Sequence, residues 1–113
     1  LLALFHSVPP ELLMDEEEYA VYQSLEDPVT VYRGVTSYNA KNIKALSWTL
    51  DRDTAEWFAH RFGEEGTVYE AQISKEHILA FFNGRKESEV VVDPKYLEQI
   101  MESPKPEMEM QMT

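Results

Sequence analysis

Three consecutive valines, Val90–Val92, constrain the fold of this chain more than any other stretch. β-branched residues favour a strand, in which successive side chains point to opposite faces. The strand is predicted to cover Glu87–Asp93 and to end at Pro94. Glu87 and Glu89 then share one face, with their Cα atoms roughly 6.5–7 Å apart. An ordinary solvated edge strand fits the same pattern, so the stretch alone leaves the function open.

A turn signal, Asn83-Gly84-Arg85-Lys86, directly precedes this strand. Such a turn can lift the start of the strand into a cleft. Two carboxylates at a strand end beside a basic loop are one pattern expected of a functional site.

Further strands are predicted from short β-branched and aromatic runs that turn residues bound. These strands are Val29–Tyr32, Ala45–Leu50 and Thr67–Ser74. His77–Phe82 fits either a strand or a short helical piece, because its pattern does not distinguish them. Within the second strand, alternation places Ser47 and Thr49 on one face and sends Trp48 towards the core.

Two helices are predicted in the N-terminal half of the chain. Asp15 is expected to cap the first, with Glu18 completing an acidic capping box, and Met14 and Tyr19 forming a hydrophobic staple. Asp51 or Asp53 is expected to cap the second helix. This helix carries an apolar stripe at helical spacing, formed by Ala55, Phe58, Ala59 and Phe62.

The two ends of the chain have weaker patterns. Leu1–Phe5 is predicted as a short helix or strand that ends at Pro9-Pro10, and Lys95–Met101 as a terminal helical turn. Residues 1–102 are predicted to form one domain, and 103–113 a flexible tail. The expected fold is α+β: a curved, mainly antiparallel sheet of about five strands with two or three helices.

The charge of the chain limits its partners. The formal net charge is -11, which disfavours nucleic acid and anionic membranes, and Leu1–Phe5 is too short to span a bilayer. The absence of cysteine excludes disulfides and thiolate chemistry. His6, His60 and His77 show no ligand spacing, so no metal site is expected.

Polar residues stand in order at the ends of three predicted strands. They are Tyr32-Arg33-Gly34, then Ser47-Trp48-Thr49, then Glu87-Ser88-Glu89. Together they resemble the Arg–Ser–Glu signature of ADP-ribosyltransferases of the cholera-toxin-like type. The resemblance covers roughly Val29 to Pro94 and implies a small domain of that fold. It also implies that Arg33, Ser47 and Glu89 converge on one cleft.

The resemblance implies that NAD is the substrate and that its nicotinamide–ribose bond is cleaved. Glu89 would stabilise the positive charge that develops on the ribose, and Ser47 would orient Glu89. Arg33 would grip a phosphate or the ribose, and Thr49 would support the cleft wall. The backbone of Gly34 would approach the nicotinamide amide, because glycine has no Cβ.

A glutamate two residues before the catalytic one implies, by the same resemblance, an arginine acceptor. Glu87 would hold the acceptor guanidinium of a protein, as in a bacterial or phage effector resembling a toxin. Because both carboxylates act in the ionised form, turnover is expected to fall towards acid pH.

Other functions stay open at this point. An NAD glycohydrolase would use water as the acceptor. A catalytically inactive module of the same fold would dock a protein partner through Trp48, Trp57 or its acidic face. An RNA 2′-phosphotransferase also uses NAD, but it would need more basic residues than this chain has.

Overall fold

The structure of the protein is a computed structural model, which describes residues 2–36, 45–61 and 66–103. These residues form four α-helices, six β-strands and two 3-10 turns. The helices are α1 (Leu2–Ser7), α2 (Pro10–Leu13), α3 (Glu16–Ser24) and α4 (Arg52–His60). The strands are β1 (Val29–Val35), β2 (Ser47–Thr49), β3 (Thr67–Ile73), β4 (Ile78–Phe82), β5 (Glu89–Val92) and β6 (Glu98–Glu102). The predicted α+β class is confirmed.

All six strands belong to one sheet, in the order β4-β5-β2-β1-β3-β6, and every pairing is antiparallel. The sixth strand corrects the expected count of about five. The helical turn predicted over Lys95–Met101 is wrong, because only Pro94–Tyr96 forms a 3-10 turn before β6 begins. Most side chains of β6 are exposed, so no apolar alternation marks it as a strand. Its backbone pairs with the outer edge of β3 instead.

The other predicted strands also depart from their predicted bounds: β1 continues to Val35, three residues beyond its predicted end, and β3 ends one residue early at Ile73. β5 starts at Glu89 rather than at Glu87, because Ser88 has a left-handed φ of 46° that extended backbone does not allow. β2 has only three residues, whereas six were predicted over Ala45–Leu50. The ambiguous stretch His77–Phe82 resolves into one residue of a 3-10 turn followed by β4.

The main core lies between the sheet and the three N-terminal helices. Its largest fully buried side chains lie on β1, β3, β4 and β5; they are Val31, Ile73, Ile78, Val90 and Val92. Trp48 is only 2% exposed and belongs to this core, as predicted. The N-terminal helices hold their place partly through Tyr22, whose hydroxyl donates to the carbonyl oxygen of Ile78 at 3.1 Å.

The capping box predicted for α3 is confirmed. Asp15 Oδ1 accepts from the backbone N–H of Glu18 at 2.8 Å, and Glu18 Oε1 accepts from the N–H of Asp15 at 3.0 Å. Met14 and Tyr19, the predicted staple pair, both pack into the main core. The sequence therefore sets where this helix starts and which side of it faces the sheet.

Helix α4 covers the opposite face of the sheet. Of the two predicted caps, Asp51 is the one used: its side chain accepts from the N–H of Asp53 at 3.2 Å. Ala55 and Ala59 are fully buried against Val68. The last residue of the predicted apolar stripe, Phe62, lies outside the described residues, as does most of the predicted tail.

Glu56 on α4 ties the helix surface together. Its carboxylate accepts from Arg52 at 2.6 Å and contacts His60 at 3.0 Å. Partial burial raises the pKa of Glu56, but the hydrogen bonds from His60 and Arg52 outweigh it and hold the pKa below its ordinary value. A depressed carboxyl pKa stabilises the fold above the ordinary pKa, and that stability is lost as pH falls through the folded value.

We therefore expect Glu56→Gln to destabilise the protein at pH 7 and to have a shrinking effect as the pH is lowered. The side chain of Glu56 is 42% exposed, so the loss at pH 7 should be only about 0.5 kcal/mol. Urea unfolding at several pH values measures it, with Glu98→Gln on the exposed edge strand as the matched control. An effect that grew towards acid pH would contradict the sign of the pKa shift.

Within the described part of the chain, no helix has both the length and the apolar character needed to cross a bilayer.

Of the predicted tail, only Ser103 is described, and its N–H donates to the carbonyl oxygen of Val68 at 2.7 Å.

Candidate functional site

A cleft of about 280 Å³ lies between the β1 and β2 strands, the α4 helix and the loop that precedes β5. All the residues predicted to form a site line this cleft. They are Arg33, Gly34, Ser47, Thr49, Glu87 and Glu89. Side chains separated by up to 56 positions in the chain thus meet in one place, where they can act on one ligand.

Strand pairing explains how two of these residues face each other. β2 pairs with β5 so that Thr49 lies opposite Glu89, and directly opposite residues of antiparallel strands share a face. Ser47 is two residues from Thr49 and therefore points to the same face. Its Oγ donates to Glu89 Oε2 at 2.6 Å. A hydrogen bond this short to a carboxylate is charge-assisted and fixes the orientation of the Glu89 side chain.

Arg33 reaches the cleft by a different route. Alternation along β1 would place it on the face opposite to Tyr32, which pairs with Thr49. Tyr32–Thr49 is the register position that joins β1 to β2. Arg33 nevertheless lines the cleft, and its Nη1 donates to the carbonyl oxygen of Ser47 on β2 at 2.9 Å. Burial lowers the pKa of Arg33, yet a guanidinium keeps its charge at neutral pH.

The hydroxyl of Thr49 is occupied within the protein. Thr49 Oγ1 donates to the carbonyl oxygen of Glu87 at 2.6 Å and accepts from the N–H of Asp51 at 3.1 Å. The residue is only 6% exposed. It connects the loop before β5 to the start of α4, which is a supporting position in the cleft wall.

Gly34 has a structural use that the sequence did not suggest. A Cβ on this residue would lie 2.1 Å from the carbonyl oxygen of Ala55 and 2.7 Å from the backbone N of Ala59. The missing side chain therefore makes room for the backbone of α4, whereas the sequence-based expectation was room for a ligand. Gly34 still lines the cleft, through its main chain.

Strand alternation was predicted to place Glu87 and Glu89 on one face, but the structure brings them together in another way. Ser88, between them, is in the left-handed region, so Glu87 belongs to the loop and Glu89 to β5. Both side chains nevertheless line the same cleft. Arg85 lies beside Glu87, with its Nη2 3.6 Å from Glu87 Oε1.

Asn83 holds this loop in shape. Its carbonyl oxygen accepts from the N–H of Lys86 at 3.0 Å, and its Oδ1 accepts from the N–H of Ser88 at 3.0 Å. The N–H of Asn83 donates to Glu18 Oε2 at 2.8 Å, which anchors the loop to α3. Three backbone N–H groups of the loop are thus held by Asn83 and Glu18, and none of these hydrogen bonds uses the side chains of Arg85, Lys86 or Glu87.

Sequence reasoning assigned no site role to two arginines that line the cleft, Arg61 and Arg85, although it placed Arg85 in the basic loop beside the acidic pair. Arg61 directly follows the end of α4, and its guanidinium lies 4.9 Å from the centre of the Phe58 ring. The available signal was composition: the chain has only four arginines and a net charge of -11. Three of the four line this cleft, which makes it a cationic site on an acidic protein.

A second cavity of about 240 Å³ adjoins the first on the side of α3 and β4. The two cavities share Arg85, Glu87 and Glu89, and the second adds Glu18 and Phe82. The three shared residues thus lie between the two cavities and line both of them.

Within residues 2–36, 45–61 and 66–103, no group of three acidic or histidine side chains is placed to hold a metal ion. Comparison with protein-family models, with curated proteins and with solved structures finds no match to this chain. The residues of the cleft and their geometry are therefore the basis for proposing a function.

Proposed function

We propose that this chain is an NAD-dependent mono-ADP-ribosyltransferase, with a small domain of the ADP-ribosyltransferase type, that modifies arginine side chains of a protein. The single observation that carries the proposal is the 2.6 Å hydrogen bond from Ser47 to Glu89 inside a cleft that also holds Arg33. It supplies an oriented carboxylate and a cation in the same cleft.

The cationic side of the cleft fits the pyrophosphate of NAD. A chain of net charge -11 needs local positive charge to bind an anion, and Arg33, Arg61 and Arg85 supply it. Among the described residues, the buried Nε of Arg33 has no hydrogen-bond acceptor. A buried donor without a partner is unfavourable, and a phosphate oxygen would satisfy it.

The acidic side of the cleft fits the reacting sugar. When the bond between nicotinamide and ribose breaks, positive charge develops on the ribose. Glu89, held by Ser47, would stabilise that charge more than it stabilises the neutral ground state of the sugar, which is the requirement for catalysis. Tyr32 and Phe58 provide flat apolar walls against which the departing ring can rest.

Glu87 is the residue we assign to the acceptor. Its carboxylate already lies 3.6 Å from a guanidinium, that of Arg85, so its surroundings suit an arginine side chain. It would bind the incoming guanidinium and take up a proton as the new bond forms.

The test is incubation of the purified chain with NAD and agmatine, a small guanidinium compound, followed by chromatography and mass spectrometry. ADP-ribosyl-agmatine together with nicotinamide is the expected result. Nicotinamide with free ADP-ribose alone would replace the transferase with an NAD glycohydrolase. Binding of NAD without turnover would indicate an inactive binding module, and the absence of binding would reject the proposal.

Glu87→Gln should separate cleavage from transfer. We expect nicotinamide release to stay close to that of the unchanged chain, because Glu89 is intact. Transfer to agmatine should fall about 10-fold to 100-fold, since glutamine lacks the negative charge that holds the acceptor guanidinium and cannot take up its proton. Glu98→Gln, on the far edge of the sheet, is the matched control. Equal losses of release and transfer in Glu87→Gln would contradict a role confined to the acceptor.

A further inference from the structure

Glu18 connects helix α3 to the loop that carries Glu87. Its Oε1 accepts from the backbone N–H of Asp15 at 3.0 Å, which closes the capping box, and its Oε2 accepts from the backbone N–H of Asn83 at 2.8 Å. A capping box uses one side-chain oxygen, so a glutamine at this position could close it as well. Binding a second N–H takes the second acceptor oxygen of a carboxylate. Glu18 therefore has a use beyond starting the helix.

Asn83 extends this connection to the turn beside Glu87. Its N–H is held by Glu18, and its Oδ1 accepts from the N–H of Ser88, the residue that follows Glu87, at 3.0 Å. Ser88 has a φ of 46°, a left-handed conformation that a serine seldom adopts unless its surroundings hold it. The carbonyl oxygen of Glu87 accepts from Thr49 at 2.6 Å on the other side of the turn. Asn83 and Thr49 together thus fix the backbone from which the Glu87 side chain projects.

Glu89 is held by separate contacts. Its backbone pairs with Thr49 on β2 and with Phe82 on β4, so it lies between two strands of the sheet. Its side chain accepts from Ser47 at 2.6 Å. Loss of the contact between α3 and the loop should therefore displace Glu87 well before it disturbs Glu89.

We propose that Glu18 is a positioning residue for the acceptor step, holding Glu87 towards the incoming guanidinium through Asn83; this inference rests on the proposed function. Glu18 lines the second cavity beside Glu87 and Glu89, but both of its carboxylate oxygens bind backbone N–H groups. It consequently acts through the loop rather than by contact with the acceptor. A held Glu87 favours transfer to a guanidinium over transfer to water, because the acceptor is oriented for attack.

The experiment compares Glu18→Ala with Asp15→Ala in the full chain, incubated with NAD and agmatine. Both variants break the capping box, so both should destabilise α3 to a similar extent. Only Glu18→Ala also releases the N–H of Asn83. We expect the ratio of ADP-ribosyl-agmatine to free ADP-ribose to fall about 3-fold to 10-fold in Glu18→Ala, which corresponds to the loss of one hydrogen bond. The ratio should be unchanged in Asp15→Ala.

Asn83→Ala tests whether Glu18 acts through the loop. This variant removes the acceptor of the Ser88 N–H without changing the charge of the chain, and it should lower the product ratio by a similar factor. Because both variants interrupt the same connection, the double variant Glu18→Ala/Asn83→Ala should lower the ratio no further than either single variant. Nicotinamide release should change much less than the product ratio in all three, since Glu89 is held separately.

Backbone amide exchange, followed by mass spectrometry, gives a second readout that does not depend on turnover. The peptide that contains residues 83–88 should exchange faster in Glu18→Ala than in the unchanged chain, because the N–H of Asn83 loses its acceptor. The same peptide should exchange at the original rate in Asp15→Ala. Equal exchange of this peptide in both variants would overturn the inference.

The product ratios can also contradict the inference. Equal falls in Glu18→Ala and Asp15→Ala would reduce Glu18 to a helix cap. Factors that multiply in the double variant would show that Glu18 acts on the acceptor by its own charge. Normal ratios in Glu18→Ala and Asn83→Ala would refute the positioning role and leave the proposed function intact. No ADP-ribosyl-agmatine from the unchanged chain would overturn the proposed function, and the positioning role with it.

Discussion

Glu89→Gln is expected to lower the rate of nicotinamide release by about 10²–10³-fold or more, which is the usual cost of removing one preorganised electrostatic contact to a transition state. Glutamine keeps the size of the side chain and can still accept from Ser47 Oγ, which now lies 2.6 Å from the carboxylate. What it removes is the negative charge facing the sugar. The effect should therefore appear in the catalytic rate and much less in the affinity for NAD.

The same variant should fold normally. Glu89 is half-buried at the start of β5, and an isosteric change there leaves the strand pairing with Thr49 intact. Circular dichroism and thermal unfolding check the fold, and chromatographic assay of nicotinamide gives the rate. Glu98→Gln on β6 should retain full turnover. Equal turnover by Glu89→Gln and the unchanged chain would remove the carboxylate from the mechanism.

Gly34→Ala is expected to destabilise the fold strongly. The added Cβ would lie 2.1 Å from the carbonyl oxygen of Ala55 and 2.7 Å from the backbone N of Ala59. These are backbone atoms of α4, so the helix must move as a body. Overpacking of this kind costs about 3 kcal/mol or more. The melting temperature should fall by more than about 10 °C.

Gly84→Ala is the matched control, because a Cβ at Gly84 would meet no atom within 4 Å. Its effect on stability should be within about 0.5 kcal/mol. Thermal unfolding of both variants distinguishes steric displacement of α4 from a general intolerance to alanine. A Gly34→Ala variant as stable as Gly84→Ala would contradict the close approach of α4 to β1.

The elements that local rules specify were predictable. The cap of α3 follows from Asp15 and Glu18, whose hydrogen bonds need only residues three apart. The burial of Trp48 follows from alternation along its strand. The cap depends on residues that are close in sequence. The burial of Trp48 depends on the alternating pattern of its own strand.

The elements that depend on distant partners were not predictable. β6 exists because β3 offers it an edge, and its own exposed residues carry no strand pattern. The loop before β5 is set by Asn83 and its hydrogen bond to Glu18, a contact across 65 positions. The left-handed Ser88 makes β5 begin at Glu89, two residues later than alternation suggested.

The candidate site divides in the same way. Family resemblance led to Arg33, Ser47 and Glu89, and these side chains do line one cleft. Spacing alone could not have brought them together, because the sheet order places β2 between β5 and β1. Arg61 and Arg85 enter the cleft from the end of a helix and from a loop, where no periodic pattern constrains side-chain direction.

The central claim is that the cleft holds NAD with its nicotinamide ribose against residue 89. A crystal structure of the Glu89→Gln variant soaked briefly with NAD tests it most directly, because we expect the variant to bind the dinucleotide and to cleave it only slowly. We predict the ribose beside the Gln side chain and a pyrophosphate oxygen about 2.7–2.9 Å from the guanidinium of Arg33. NAD bound elsewhere on the chain, or no NAD bound at saturating concentration, would contradict the account.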